Sequence, residues 1–388
     1  MAPTVQEPLF SFISDQSLAL LLPIIVYWTY SLLFHWISLK EFPWFEKYRL
    51  HDREEETRNR VELPEVIKAV IIQQIIQTAL GFIVVLADDN EMIFDDEASL
   101  AKYQIRIASA FATVGLSVSQ SVIEKLAYCG YYYVESALRF WVAMAFLDTW
   151  QYWLHRLFHS VPYLYRTFHS RHHRLYVTYS FGALYNHPFE GFLMDSVGAS
   201  LGFLLSGLGN RGALAFFSFS TLKTVDDHCG YNLPFNPLQL FFWNNADYHD
   251  IHHQSFGIKK NYSQPFGTIW DHVLGTHMSR EEANAIIKAK EERKAARLAA
   301  AATQSASKGM ATVKALNKGD ELPSSGNNSG NDSHGEEDHH DTKPSAIALG
   351  TSSALHKSID LPDFRERLAA RSRIDNGSVT GKGQGNAF

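Results

Sequence analysis

The feature that most restricts the fold is a set of histidines that recur at intervals of three and four residues. They lie in two stretches, HRLFHSVPYLYRTFHSRHH at 155–173 and DYHDIHH at 247–253. On a helix, residues three or four positions apart share a face, so each group presents several imidazoles in one direction. Burying adjacent imidazoles is unfavourable unless they share a partner, and a metal ion is such a partner. The spacing therefore predicts a fold that brings these stretches together around metal.

The number of candidate ligands indicates more than one ion. Two further histidines stand alone between the clusters, in YNHPFEG and VDDHCGY. The candidate ligands are His155, His159, His169, His172, His173, His187, His228, His249, His252 and His253. A tetrahedral zinc site uses four or fewer protein ligands, so two neighbouring ions fit this set better. Imidazole binds zinc, copper, nickel and iron, and ligand type alone leaves the metal open.

Long apolar stretches predict that the chain is embedded in a membrane. Residues 18–39 and 66–87 are each about long enough to cross a bilayer, and the glutamines of the second stretch are expected to face other helices. A third candidate covers 132–153, and the broken apolar stretch 192–222 predicts a helical hairpin. For 104–123, spanning, interfacial and re-entrant placements stay open. We predict an all-α integral-membrane helical bundle with about four transmembrane helices.

The distribution of basic residues predicts the orientation of this bundle. Lys and Arg are concentrated between the first two spans, at 40–65, whereas residues 88–101 contain none. Because cytosolic loops carry the excess of positive charge, the 40–65 loop is predicted to be cytosolic. A third span then returns the chain to the cytosol just before His155. The histidine-rich cap should therefore face the cytosol.

Several motifs resemble those of a known family. HRLFH, HSRHH and HDIHH resemble the three histidine boxes of the fatty acid hydroxylase superfamily, the integral-membrane di-iron hydroxylases and desaturases. NHPFE is similar to the family's His-Pro-x-Glu segment, DDHCGYNLP to its His-x-Gly-Tyr-x-x-Pro segment, and WDHVLGT to its closing segment. The resemblance covers roughly 145–277. Among the branches, the run at 148–191 is most similar to the sphinganine 4-hydroxylases.

The resemblance implies how the residues divide their roles. It makes the ten histidines ligands of two iron ions, and it assigns no ligand role to His272 and His277. Acidic residues beside the ligands could orient the imidazoles as hydrogen-bond acceptors, although each could also be a helix cap or a surface charge. These candidates are Glu190, Asp227, Asp247 and Asp250.

The resemblance also implies a reaction. Position 4 of sphinganine is a plain methylene whose hydrogen no acid–base residue can remove, so a redox-active metal is required. We expect hydroxylation of this carbon in sphinganine or dihydroceramide by O2, giving phytosphingosine-type bases in sphingolipid biosynthesis. The sequence has neither a nucleotide-binding fingerprint nor a fused haem motif. The two electrons are therefore expected from NADPH or NADH through cytochrome b5 and its reductase, at the endoplasmic reticulum membrane.

Other functions stay open at this point. Box spacing does not separate hydroxylation from desaturation, so a sterol C4-methyl oxidase or a lipid desaturase is the alternative enzyme. A structural zinc-binding membrane protein is the alternative from another class. A formal net charge of -6 argues against nucleic-acid binding. Cys129 and Cys229 are too few and too far apart for a disulfide framework.

The sequence predicts three regions. Residues 1–131 form N-terminal membrane helices and loops, and 132–278 form the fatty acid hydroxylase catalytic region. Residues 279–388 begin with a charged, alanine-rich helix that has acids early and bases late, as the helix dipole favours. The polar sequence that follows is predicted to be disordered because it has too few apolar residues to bury a core.

Overall fold

The protein is built almost entirely from helices in the residues that its computed structural model describes, which are 4–5, 7–87, 93–94 and 96–317. This confirms the predicted all-α class. Strands β1 (Thr4–Val5) and β2 (Ile93–Phe94) form one short antiparallel pair. The α-helices are α1 Asp15–Lys40, α2 Pro43–Glu46, α3 Leu63–Ala87, α4 Asp96–Thr113, α5 Gln120–Cys129, α6 Ser136–Ser160, α7 Pro162–Thr167, α8 Pro188–Gly191, α9 Gly198–Ser206, α10 Asn210–Asp227, α11 Pro237–Phe241, α12 Ala246–His253, α13 Ile269–Val273 and α14 Arg280–Asn317.

Tighter and wider helical turns connect some of these helices. The 3₁₀ turns are Arg53–Arg58, His169–Arg174 and Ser180–Leu184. The π-helical turns are Gly130–Glu135, which leads into α6, and Phe192–Val197, which joins α8 to α9. Such turns often occur at functional sites because they change the direction in which side chains point.

Helices α1 and α3 are the two described helices that are long and apolar enough to cross a membrane. Only 22% of the apolar window of each is buried, and large side chains such as Ile25 and Ile83 are exposed. Apolar surface of this extent is typical of lipid contact. These helices coincide with the first and second predicted spans. The third predicted span, 132–153, covers the end of the Gly130–Glu135 turn and most of α6, and α9 and α10 lie in the predicted hairpin.

Three glutamines of α3 were predicted to face other helices, and two of them are buried in this way. Gln73 and Gln74 are buried, and the Trp28 indole of α1 donates to Gln74 Oε1 at 2.9 Å. An amide in an apolar helix is favourable when a neighbouring helix supplies its partner. The pairing therefore ties α1 to α3.

A buried apolar core forms where α1 packs along α10 and the Ser180–Leu184 turn. Tyr27, Val70, Tyr185 and Val225 are completely buried there. The Tyr27 hydroxyl donates to the Phe181 carbonyl at 2.8 Å. The first membrane helix thereby supports the chain that follows the HSRHH box.

A glycine is required where the chain leaves α10. Gly230 has φ +80°, and a Cβ built on it would lie 2.9 Å from the Thr178 carbonyl oxygen. Only glycine adopts this backbone without strain and without that clash. The Gly230 carbonyl accepts from Leu50 N at 3.0 Å, which joins this turn to the loop after α1. The turn fixes the exit of the chain directly after His228.

The C-terminal part begins with the predicted charged helix, α14. Met1–Val313 form one unit and Lys314–Phe388 a second. The predicted disordered tail, at 318–388, lies outside the described residues.

Candidate metal centre

Five histidines from three parts of the chain form the first group. His155 and His159 lie on α6, His169 and His173 lie on the turn after α7, and His252 lies on α12. One ligand nitrogen from each lies within 4.8 Å of every other. Because residues four apart share a helix face, α6 presents both of its rings to the same point.

Four histidines form the second group. His172 comes from the same turn, His228 follows α10, and His249 and His253 lie one turn apart on α12. All four are buried, and their ligand nitrogens also lie within 4.8 Å of one another. The groups adjoin, since the ring centroids of His173 and His253 are 4.9 Å apart. The structure thus holds two neighbouring sets of nitrogen ligands, as the predicted pair of ions requires.

Backbone carbonyls fix the orientation of most of these rings. The Nδ1 atoms of His155, His252 and His253 lie 2.8, 2.7 and 2.8 Å from the carbonyl oxygens of residues 262, 260 and 175. Those of His172 and His228 lie 3.3 and 2.9 Å from carbonyls as well. A carbonyl only accepts, so Nδ1 carries the hydrogen and Nε2 keeps a lone pair. This is the tautomer of a ligand bound through Nε2.

In one pair of rings, the two Nε2 atoms face each other without a hydrogen between them. Nε2 of His172 and Nε2 of His228 are 3.4 Å apart, although both rings carry their hydrogen on Nδ1. Two lone pairs at this distance repel unless a cation lies between them. Nε2 of His252 is buried with no hydrogen-bond partner. The donor set therefore fits metal ions bound by imidazole.

The rings are neutral, as ligands must be. Burial lowers the pKa of His169 and of His172 to about 3, and the neighbouring His169 ring adds to the effect on His172. Burial also holds the pKa of His253 well below its ordinary value. At neutral pH these nitrogens bind a cation without first losing a proton.

Comparison with known proteins decides the family. The family model described as fatty acid hydroxylase matches residues 140–276. A sphingolipid C4-hydroxylase of Schizosaccharomyces pombe is 44% identical over 68% of this chain and 88% of its own length. The chain belongs to the fatty acid hydroxylase family. Its match to the family model contains all ten predicted ligands.

Other members of the family are similar to a comparable degree. Sphinganine C4-monooxygenase 2 of Arabidopsis thaliana is 42% identical over 69% of this chain and 89% of its own length. A protein of Oryza sativa subsp. indica named very-long-chain aldehyde decarbonylase is also 42% identical, over 70% of this chain and 92% of its own length. No solved structure matches.

One predicted ligand of the family motif lies outside both groups. His187 is half-buried at the start of α8, where its Nδ1 accepts from Phe189 N at 3.2 Å. Its ring packs against Phe168, with the centroids 5.0 Å apart. Pro188 begins the helix, and His187 caps it. The structure therefore brings nine of the ten predicted ligands together.

The acidic residues beside the ligands differ in what they contact. Glu190 accepts from His169 Nδ1 through a very short contact, so it orients a clustered ring as predicted. Asp227 instead pairs with Lys223, and Asp247 with Arg280 at 2.8 Å. Asp250 contacts His51 rather than a clustered histidine. For these three, nearby cations or a remote histidine replace the predicted contact with a ligand ring.

Sequence reasoning missed several groups that support the site. His51 lies outside the histidine boxes, yet its Nε2 lies 2.7 Å from Asp250 Oδ1. The carbonyls that orient the rings come from Leu175, Thr224, Tyr185, Lys260 and Tyr262. No side-chain pattern marks a carbonyl acceptor in a sequence, and His51 and Asp250 are separated by 199 positions.

Proposed function

We propose that this protein is a sphinganine C4-monooxygenase that hydroxylates the C4 methylene of a sphingoid base or its ceramide. The observation that carries the proposal is the combination of two adjoining imidazole groups with relatives of that activity. Those relatives match about two thirds of the chain at 42–44% identity, and the match to the family model at 140–276 contains every imidazole of both groups. The product is a phytosphingosine-type base.

The two groups would each hold one iron ion. His155, His159, His169, His173 and His252 would bind one, and His172, His228, His249 and His253 the other. The iron pair supplies the oxidising power, drawn from O2, that removes hydrogen from an unactivated methylene and returns a hydroxyl. The chain would hold the neutral Nε2 atoms in place and exclude water from them, because seven of these nine histidines are at most 5% exposed.

The electrons would come from cytochrome b5 and its NADPH- or NADH-dependent reductase. Basic residues near the site include Arg156, Arg166, Arg171, Arg174, Lys259 and Lys260. Arg166 and Lys259 are exposed and could steer an acidic donor to this face. Reversing these two to Glu should slow donor-dependent turnover and reduce its sensitivity to salt. Unchanged turnover and salt dependence would contradict docking on this face.

The membrane placement follows from the apolar helices. We propose that the protein resides in the endoplasmic reticulum membrane with about four transmembrane helices, with α1 and α3 as the first two. The basic loop after α1 and the metal groups would face the cytosol. Residues 1–131 would anchor the protein in the membrane and 132–278 would form the catalytic region, and 279–388 would form a separate region that begins with the charged helix α14.

Lipid analysis tests this function. In cells that lack sphingolipid C4-hydroxylation, the wild-type chain should restore trihydroxy bases. The matched control is a His172→Ala, His252→Ala double variant, which removes one ring from each group and should insert into the membrane without restoring the product. Equal restoration by the double variant would contradict the proposal.

A second candidate follows from the rice relative, whose name states an aldehyde decarbonylase. Feeding long-chain aldehyde to the same cells separates the two, because a decarbonylase would give a hydrocarbon and no trihydroxy base. Altered methylsterols or a new double bond would instead favour the sterol oxidase or the desaturase. Tightly bound zinc and no oxygen-dependent turnover would indicate a structural protein.

A further inference from the structure

A pocket opens beside the two histidine groups. Its enclosed volume is about 30 Å³, and it opens to the surroundings. His169 lines it from the first group, and His172, His228 and His249 line it from the second. The other lining residues are Gln151, Ala183, Asn186, Glu190, Met194, Asp195, Thr224, Asp227, Gln264 and Pro265. For an enzyme acting on an alkyl chain, this lining is unusually polar.

Two carboxylate oxygens at this pocket have no hydrogen-bond donor among the described residues. Glu190 is 1% exposed, and its Oε1 contacts His169 while its Oε2 is buried and unpaired. Asp195 Oδ1 accepts from Gln151 Nε2 at 3.1 Å, while its Oδ2 is buried and unpaired. An unpaired buried carboxylate oxygen is costly, so a bound group that donates hydrogen bonds would be stabilised there.

The backbone places Asp195 at the pocket. It lies in the π-helical turn Phe192–Val197, between the short helix that follows His187 and α9. Gln151, its one partner, comes from α6, one turn before His155. Asp195 has no contact with a clustered histidine among the described interactions. Unlike Glu190, it can therefore act on a ligand without acting on a metal-binding ring.

The chemistry of a sphingoid base matches these acceptors. The carbon to be hydroxylated is bonded to the carbon that carries the 3-hydroxyl, and the amino nitrogen is three bonds away, at most about 4 Å. When C4 faces the histidine groups, the hydroxyl and the ammonium must therefore lie in the same pocket. An ammonium has three donors and binds a carboxylate through charge-assisted hydrogen bonds.

We propose that Asp195 is the specificity residue of this pocket, and that it selects a free sphingoid base over an N-acylated one. The inference rests on the proposed function. The Asp195 carboxylate pairs with the ammonium, and Glu190 Oε2 accepts from a hydroxyl. N-acylation removes the positive charge and two of the three donors, so a ceramide could offer Asp195 only one neutral and weaker hydrogen bond.

Binding without turnover tests the proposal. The metal-loaded, full-length protein in nanodiscs is titrated anaerobically with sphinganine and with N-acetylsphinganine. Wild type should bind sphinganine at least tenfold more tightly. Asp195→Asn should weaken sphinganine binding roughly 10- to 100-fold and change N-acetylsphinganine binding by less than about twofold. Asp195→Glu, which keeps the charge, should retain the preference, and Glu124→Gln, an exposed carboxylate on α5, should bind as wild type.

The outcomes distinguish a wrong role for Asp195 from a wrong proposed function. Equal wild-type affinity for both lipids, or an equal loss for both in Asp195→Asn at unchanged metal content, overturns the role of Asp195. The first of these needs no variant, so it decides the question even if Asp195→Asn does not fold. Suppose that wild-type protein selects sphinganine anaerobically but never hydroxylates it when O2, cytochrome b5, its reductase and NADPH are supplied. That result contradicts the proposed function and leaves the recognition intact.

Discussion

Asp250 should hold the third histidine box in place although it contacts no clustered ring. It lies on α12 between His249 and His252 and is 0% exposed. One carboxylate oxygen is 2.7 Å from His51 Nε2, and the other accepts from Arg280 Nη2 at 3.2 Å. These bonds join α12 to the loop after α1 and to the start of α14.

The contribution of Asp250 to the free energy of unfolding depends on which ion pairs Arg280 and His51 would keep without it. Removing one partner of a buried charge pair costs about 3–5 kcal/mol. Arg280 would keep Asp247 at 2.8 Å, and His51 would keep Glu55 at 2.7 Å, so the lower end applies. We expect Asp250→Ala to lower the free energy of unfolding by about 3 kcal/mol. For a chain of 388 residues, that corresponds to a Tm lower by about 4 °C.

Thermal unfolding in detergent and metal titration check this expectation together. Asp250→Ala should lower Tm and weaken metal binding about 10- to 100-fold, because a displaced α12 carries ligands of both groups. Asp250→Asn keeps the shape and one acceptor oxygen, so its loss should be smaller. Glu124→Gln serves as the surface control. If Asp250→Ala keeps the wild-type Tm within about 1 °C and binds metal equally well, the carboxylate does not position the box.

Three further predictions rest on separate contacts. Burial opposes the charged form of His51, but Asp250 and Glu55 outweigh it and raise its pKa to about 10, so its stabilisation is complete below about pH 6.5 and is lost as pH rises toward 10. His51→Gln should therefore flatten the alkaline loss of Tm, and an unchanged pH profile would refute this. His228→Ala should lose about one metal equivalent by elemental analysis, whereas His187→Ala should keep both; equal losses would place His187 in the site. Gly230→Ala should lower stability by about 1–3 kcal/mol, measured as a lower Tm, because it combines a positive φ with a clash at Thr178; a wild-type Tm would show that the turn adapts.

The spacing of the histidines predicted that the boxes meet, but only rings four apart share a group, whereas rings three apart, such as His249 and His252, lie in different groups. His155 and His159 share a face of α6, and His249 and His253 share a face of α12, as spacing of four requires. The sequence could not distinguish the two lone histidines in the same way. His187 became a helix cap because Pro188 begins a helix directly after it, whereas His228 ends α10 with Nδ1 2.9 Å from the Thr224 carbonyl. That difference depends on where two helix ends lie in space.

The membrane helices were predicted from hydropathy, but their contribution to the site was not. Lipid-facing side chains of α1 follow from composition, whereas the Tyr30 hydroxyl of the same helix donates to Asp226 Oδ1 at 2.9 Å, two residues before His228. Such a contact joins positions 196 apart, and no local pattern encodes it. Tertiary contacts of this kind determine how α10 is held, and so where its histidine points.

The paired histidines explain why the two ligand groups adjoin rather than form separate sites. Adjacent residues on a helix point about 100° apart, and on a 3₁₀ turn they diverge even more. Each His-His pair is consequently split, with His173 and His252 in the first group and His172 and His253 in the second. Two backbone segments thus contribute to both groups at once, and their geometry fixes how far apart the groups can be. Inserting one residue between His252 and His253 would rotate one ring away, so it should abolish binding of one ion and disturb the other.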